Sequence, residues 1–388
     1  MSSYNKNLVF TAACIGMSFF GVSMITMGAV LPSLTGKLML NDLQAGALVT
    51  FLPVGLLVGS LLFGPIVDRF GHKVLMLFSC IVVLLGLEGI ALFSDIPLLQ
   101  LSILCIGLGG GILNGETNAL VADISSDEEK GARLSLLGAF YGIGALGIPV
   151  LMGFLSKHYS FETILQGTGV LMLICIIFCM FIRFPAPKQP QGFPIREGIK
   201  LLKEKSLLLF SLILFFQSGI EGVTNNWTTS YLGRTTEIPA DKALLVLTCM
   251  VAGLTAARLL LVVIFKKVKE STVLICSLVM AGVGFLLLMA SPEFWRAALG
   301  MVLIGAGVAS TFPVILSILG QRYAALSGTA FSIAMVIALT GNTLLNNLTG
   351  ILSQKFGITV FPYMMITAIV IMIVLFRWAF RSKTPPRI

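Results

Sequence analysis

The chain reads as twelve long apolar runs separated by short polar breaks. The runs fall at 8–34, 44–67, 73–93, 98–122, 133–155, 162–183, 206–232, 240–265, 272–291, 295–318, 325–353 and 358–380. A helix crosses a bilayer with about 20 residues at ~1.5 Å rise apiece, and each run has that length. The pattern predicts an all-α membrane protein with twelve transmembrane helices. Hydrophobic residues are 57% of the chain and charged residues 11%, whereas a water-soluble domain carries about 25% charged residues.

The formal net charge of +9 changes the picture through its placement. With the N-terminus inside, 19 of the 26 lysines and arginines fall in breaks on the cytoplasmic side. The positive-inside rule then predicts cytoplasmic termini and a plasma-membrane protein, of the bacterial inner-membrane kind. The basic excess is a topology signal with contact to anionic membrane lipid, and no nucleic acid is expected as a partner. The first run, Leu8 to Leu31, is too long for a signal-peptide core and has no small-residue cleavage site after it. All seven cysteines lie in apolar runs, which suits plain thiols packed as small hydrophobes. Cys175 and Cys179 have no His or carboxylate beside them, so no metal site is expected. The sequons at Asn226 and Asn347 lie at membrane depth and are read as chance.

The chain divides near 184–205. Pro185, Pro187, Pro190 and Pro194 break any helix there, and Arg196 to Lys205 is basic and amphipathic. The expected organisation is a six-helix bundle over 1–183, a cytoplasmic linker over 184–205 ending in a short interfacial helix, and a second six-helix bundle over 206–388. The halves match at an offset of 198: Gly55 with Gly253, Asp68-Arg69 with Lys266-Lys267, and Gly107-Leu108-Gly109 with Gly305-Ala306-Gly307. At 197, Gly153 to Lys157 resembles Gly350 to Gln354. An even span number keeps both halves in the same orientation. The bundles should therefore be related by a pseudo-twofold axis along the membrane normal, the arrangement that places a solute site between halves.

Between the second and third runs stands Gly64-Pro-Ile-Val-Asp68-Arg69-Phe-Gly71-His72-Lys73. Gly64 permits close helix contact, Gly71 permits the turn between two antiparallel helices, and Asp68 can accept hydrogen bonds from a helix end. This loop resembles the signature G-x-x-x-D-R-x-G-[RKH]-[RK] of the major facilitator superfamily. The resemblance covers the whole chain and implies alternating access, with Gly64, Asp68, Arg69, Gly71 and Lys73 as a conformational latch. Gly219-Ile-Glu221 through Trp227 to Tyr231 resembles the G-x-E-x-x-x-x-x-W-x-x-x-Y pattern of the fucose/glucose symporter branch. That branch also carries a glycine-rich run followed by an acid and, four residues later, an asparagine. Here Gly107 to Gly111 precedes Asn118, but Asn114 stands at the acid's place and the carboxylate is at Glu116. The branch's proton-coupling acid therefore does not carry over position for position.

Ionisable groups at membrane depth cost roughly 2.5–3.5 kcal/mol each on insertion scales, so each needs a reason. Gln217, Glu221, Thr224, Asn225 and Thr228 share one face of the seventh run, a stripe that must meet a cavity or another helix. Asn114 and Asn118 share a face of the fourth run, and Glu116 points the opposite way. Asn342, Asn346 and Thr349 form a third stripe in the eleventh, while Tyr141 and Trp227 offer aromatic surface. Amides and aromatics together suit a sugar, with hydrogen bonds for its hydroxyls and an apolar face for its C–H edge. The substrate-binding candidates are Asn114, Asn118, Tyr141, Gln217, Glu221 and Asn225, joined by Trp227, Asn342 and Asn346. Glu116 and Glu221 are candidates for ion coupling, with a structural role for Glu116 kept open. Arg258 either pairs with a carboxylate such as Glu116 or Asp123 or snorkels along its stem. Glu88 is read as snorkelling from the outer end of its span.

The expected function is secondary active transport of a small polar solute, a sugar by preference, as a proton- or sodium-coupled symporter. The alternatives are an efflux antiporter for amphipathic compounds or a non-transporting membrane receptor. No P-loop follows the glycine run, and the two histidines lie at span ends, so neither an ATP-driven pump nor an enzyme is expected. No cofactor is called for, and a monomer is expected.

Overall fold

A computed structural model describes residues 4–40, 42–188, 200–290 and 293–381. Among these the chain is helical, with no strand. The helices are α1 (Lys6–Leu38), α2 (Asp42–Phe70), α3 (His72–Leu92), α4 (Ile96–Ile124), α5 (Lys130–Leu155) and α6 (Phe161–Phe181), then α7 (Lys205–Thr235), α8 (Ala240–Ile264), α9 (Glu270–Met289), α10 (Phe294–Val308), α11 (Thr311–Arg322), α12 (Ser327–Phe356) and α13 (Val360–Arg381). They make twelve membrane spans, because α10 and α11 together form the tenth. The protein is a multi-pass membrane protein. Its outward side chains agree: Leu61, Leu85, Leu171, Leu260 and Val374 stand exposed, as hydrocarbon requires and water would not. Most of the proposed interfacial helix lies outside the described residues. Only Lys200 and Leu201 at its end are helical, ahead of a turn into α7.

The tenth span is not the single helix that its apolar run predicts. It breaks at Ala309–Ser310. Pro313 accounts for the break, since it has no N–H to give the Ala309 carbonyl and its ring crowds that oxygen.

The chain separates into two compact units. Unit 1 holds residues 1–124, 140–198 and 325–332; unit 2 holds 125–139, 199–324 and 333–388. The boundary departs from a clean cut at the linker. Each unit takes in the opening turns of one helix from the other half of the sequence: α12 starts in unit 1, and α5 starts in unit 2.

The two units are built from the same helix contacts 198 residues apart. In unit 1 a Cβ on Gly109 would stand 2.7 Å from the Ser79 carbonyl oxygen and 3.0 Å from Val83 N. In unit 2 a Cβ on Gly307 would stand 2.6 Å from Ser277 O and 2.5 Å from Ala281 N. Gly86 meets Ser102 O and Ile106 in the same way that Gly284 meets Gly300 O and Ile304. Gly55 and Gly107 bring α2 against α4, and Gly253 and Gly305 bring α8 against α10. Helices pack this closely in a membrane where small residues let backbones touch. The repeat in the sequence is thus a repeat of interhelical contacts, and equivalent positions can be compared between units.

Candidate functional site

In unit 1, Asp68 at the end of α2 is 2% exposed and accepts three hydrogen bonds from the start of α12. The N–H of Gly328 donates to Oδ1 at 3.3 Å, the N–H of Thr329 to Oδ2 at 2.9 Å, and the Thr329 hydroxyl to Oδ2 at 2.6 Å. The first N–H groups of a helix have no partner of their own, and a carboxylate also suits the positive end of the helix dipole. One turn along, the Ser332 hydroxyl donates to the Ser60 carbonyl at 2.6 Å and lies 2.9 Å from that of Leu61. Gly64 makes the approach possible. A Cβ there would stand 2.5 Å from Gly328 O and 2.8 Å from the Thr329 Cα. Gly71 turns the chain between α2 and α3 at φ +80°, and Lys73 Nζ donates to the Met180 and Ile182 carbonyls at the end of α6. Arg69 lies over the Phe70 ring.

Beside this clasp runs a chain of titratable side chains, buried at His72 and Glu116 and half-buried at Asp123 and Lys188. His72, the first residue of α3, is 5% exposed. Its Nδ1 lies 3.2 Å from Glu116 Oε1 and its Nε2 lies 3.0 Å from Asp123 Oδ2. Lys188 Nζ donates to Asp123 Oδ1 at 2.6 Å and to the Ser327 hydroxyl at 2.7 Å, and that hydroxyl donates to Asp123 Oδ1 at 2.8 Å. Glu116 has no exposure, and its Oε2 has no hydrogen-bond partner among the described residues. Each imidazole nitrogen faces a carboxylate oxygen, so two N–H···O or O–H···N contacts must share the protons of three groups. Either the imidazole is charged, or one of the acids holds a proton.

Sequence reasoning placed Glu116 on a face of its own but took His72 for a basic loop position. It offered Asp123 only as a partner for Arg258 and gave Lys188 and Thr329 no part in the site. One signal was available: Glu116 and Asp123 are seven residues apart, which returns them to one face of α4 two turns apart. Asn114 and Asn118 lie on the other side. Asn118 donates to the Asn114 backbone carbonyl at 2.7 Å and lies 3.3 Å from its side-chain oxygen. Asn114 is half-buried and Asn118 buried. The Tyr141 ring packs on Phe20, with centroids 5.3 Å apart.

Unit 2 carries the other candidates. The polar stripe of α7 splits in two. Gln217, Thr224 and Thr228 have no exposure, while Glu221 and Asn225 are half-buried. Gln217 Nε2 donates to the Val308 carbonyl at 3.0 Å, so the amide satisfies the last carbonyl of α10 where the tenth span breaks. Its side chain also meets the Glu221 carboxylate. Gln217 Oε1, Ser310 Oγ and Thr311 Oγ1 are buried oxygens with no partner among the described residues. Thr224 and Thr228 bond to the carbonyls of Ile220 and Thr224 within their own helix, and Asn225 donates to the Glu221 carbonyl at 2.9 Å.

Between α7 and α12 the amides form a line. Asn226 Nδ2 donates to Asn346 Oδ1 at 3.0 Å, and Asn346 Nδ2 donates to Asn342 Oδ1 at 2.7 Å. Asn226 is exposed and the other two are half-buried. It is a residue that the sequence reading set aside as part of a chance sequon. The Asn342 amide lies over Gly222, where a Cβ would stand 2.5 Å from its Cγ. Trp227 is half-buried, with its six-membered ring near Gly350.

Arg258 is 7% exposed and donates to the Gly138 carbonyl at 2.8 Å. Its charge acts on Glu221 in the same unit. Of the carboxylates offered to it by the sequence reading, Glu116 and Asp123 sit in unit 1 on His72.

The Major Facilitator Superfamily model matches residues 11–270, about two-thirds of the chain. A fucose:proton symporter of E. coli has the same fold, with a TM-score of 0.81 at 16% identity over 95% of this chain and 98% of that one. A proton:xylose symporter, XylE, gives 0.79 at 15% identity over 98% and 96%. Among curated relatives, the inner membrane transport protein YdiN of Escherichia coli K12 is 24% identical over 53% of this chain and 49% of its own length. A cis,cis-muconate transport protein of Acinetobacter baylyi is 22% identical over 60% of this chain and 59% of its own. The multidrug resistance protein MdtH of Salmonella arizonae is 29% identical over 39% and 37%. The chain thus spans about half the length of these relatives. Those proteins are transporters, not enzymes. With that family match, its signature loop, its twelve spans and its doubled set of helix contacts, this chain belongs to the Major Facilitator Superfamily.

Proposed function

We propose that the protein is a proton-coupled carrier of a small polar solute, a sugar by preference, working by alternating access in a bacterial inner membrane with both termini cytoplasmic. The observation that carries the reading is the half-open row of amides on α7 and α12. Asn226, Asn346 and Asn342 spend some of their capacity on each other and keep carbonyl and N–H groups for a ligand. Polar groups held at membrane depth without full burial call for a water-filled path. Asn225 and Glu221 extend the row on α7, with Trp227 offering an apolar face. Asn114, Asn118 and Tyr141 are the corresponding candidates of unit 1, and Gln217 supports the site from behind by holding the broken span.

A proton suits Glu116 better than sodium. Hard cations take several oxygen ligands, whereas Glu116 meets an imidazole and leaves one oxygen unbonded. A proton on Glu116 would weaken its hold on His72, and His72 shares Asp123 with the start of α12. Loading and latch would thereby be linked. The efflux alternative draws on the relative MdtH, and its greasy substrates would prefer a wall without amides.

Uptake of a labelled sugar panel into proteoliposomes under imposed proton or sodium gradients tests the reading. We expect saturable uptake of a polyhydroxylated solute that an inward proton gradient raises. Uptake confined to lipophilic cations would favour efflux.

A further inference from the structure

The repeat exposes a second clasp that the signature loop does not mark. In unit 1 the Ser332 hydroxyl donates to the Ser60 carbonyl, tying α12 to α2. In unit 2 the Ser135 hydroxyl donates to the Arg258 carbonyl at 2.7 Å, tying α5 to α8. Ser135 and Ser332 are 197 residues apart, and Ser60 and Arg258 are 198 apart. The same bond is therefore made twice, between equivalent helices. Gly131 at the start of α5 corresponds to Gly328 at the start of α12, the residue that donates to Asp68. The position equivalent to Asp68 is Lys266, which has no acceptor to offer.

A carboxylate nevertheless reaches the equivalent place. Glu270, the first residue of α9 and one turn past Lys266, lays its Oε1 against Gly131, where a Cβ would overlap it. The Ser317 hydroxyl donates to the same oxygen at 3.0 Å. Lys130, 5% exposed, acts on Glu270 with its charge and bonds to Asp127 at 3.1 Å. Gln321 Nε2 donates to the Asp127 carbonyl at 3.3 Å and ties the approach to α5 from α11. A residue at 131 with any side chain would displace the carboxylate, and glycine leaves the seat open.

We propose that Glu270 is a second latch residue, holding the start of α5 in unit 2 as Asp68 holds the start of α12 in unit 1. It rests on the transport reading only in assigning the latch a place in the cycle. The two halves of the sequence are then fastened twice, once from each unit, by carboxylates that do not align in the repeat.

Hydrogen–deuterium exchange on the full chain in lipid tests this without any solute, so its outcome is separate from that of the uptake assay. Glu270→Gln is expected to speed exchange in residues 126–139 by about fivefold, as removing a negative charge from beside Lys130 and the N-terminus of α5 would. Exchange at 325–332 should stay unchanged. Asp68→Asn should do the reverse. Gly131→Ala should open 126–139 in the natural chain and have no further effect in a Glu270→Ala background, because the displaced carboxylate is already gone. Unchanged exchange at 126–139 in Glu270→Gln overturns the proposal. So does an equal rise in both segments, or an effect of Gly131→Ala that persists without Glu270.

Discussion

Glu116 and Glu221 are both carboxylates at membrane depth, yet their surroundings differ. Glu116 is closed off inside unit 1, with one oxygen on His72, which in turn holds Asp123. Glu221 is half-buried in unit 2, beside Gln217 and Asn225 and in the field of Arg258. A closed carboxylate among titratable neighbours is suited to exchanging a proton with them. A half-open one beside amides, with a fixed cation near, is suited to staying charged and meeting a ligand. Unit 1 thus concentrates protonatable groups around a clasp, and unit 2 spreads neutral hydrogen-bonding groups along two helices. The division of labour we propose follows from that contrast.

The largest effect should come from the clasp of unit 1. Gly64→Leu forces a side chain into the α12 backbone, and overpacking of this kind costs about 1–3 kcal/mol. Turnover should fall by about 100-fold while the protein still inserts. Gly147→Ala is the control, since nothing lies within 4 Å of the added Cβ. Equal turnover in the two variants would show that the α2–α12 contact does not limit the cycle.

Asp68→Asn comes next. It removes the charge that receives three hydrogen bonds, worth roughly 1.5–3 kcal/mol for bonds to a charged group. Turnover should drop about tenfold or more with solute affinity within about twofold, because the change acts on the balance of states and not on the site. A matching loss of affinity would move Asp68 from the latch into the binding region.

Asn346→Ala interrupts the amide line of unit 2 and should weaken solute binding by about 1–2 kcal/mol in a direct binding assay. Normal binding would mean that the row only joins α7 to α12. The smallest effects belong to the paired serines. Ser332→Ala and Ser135→Ala should each cost about 1 kcal/mol in thermal stability and by similar amounts, since they break equivalent bonds. A large inequality would argue that the two clasps are not equivalent in strength.

Much of the fold could be read from the chain. Long apolar runs leave a membrane protein few options, and matched glycines at 55 and 253 or 107 and 305 mark contacts that recur in space. The break in the tenth span escaped because a proline in an apolar run is compatible with either a kinked or a divided helix. The site was harder to read. His72 occupies a position that a basic residue commonly fills, and only its burial between two carboxylates reveals its chemistry. Gln217 has the right residue type for a solute site, but its amide is spent on the Val308 carbonyl at the end of α10, where the tenth span breaks. Glu270 could not be found by repeat matching, because the acid is displaced by one turn from its counterpart.

The central claim is that Glu116 carries the coupling and Glu221 does not. Proteoliposomes bearing Glu116→Gln or Glu221→Gln can be assayed for uphill accumulation and for counterflow exchange, which needs the solute site and the alternation of states but no ion gradient. We expect Glu116→Gln to lose accumulation and keep exchange at about the level of the natural chain, and Glu221→Gln to reduce both together. Accumulation that survives in Glu116→Gln would contradict the account.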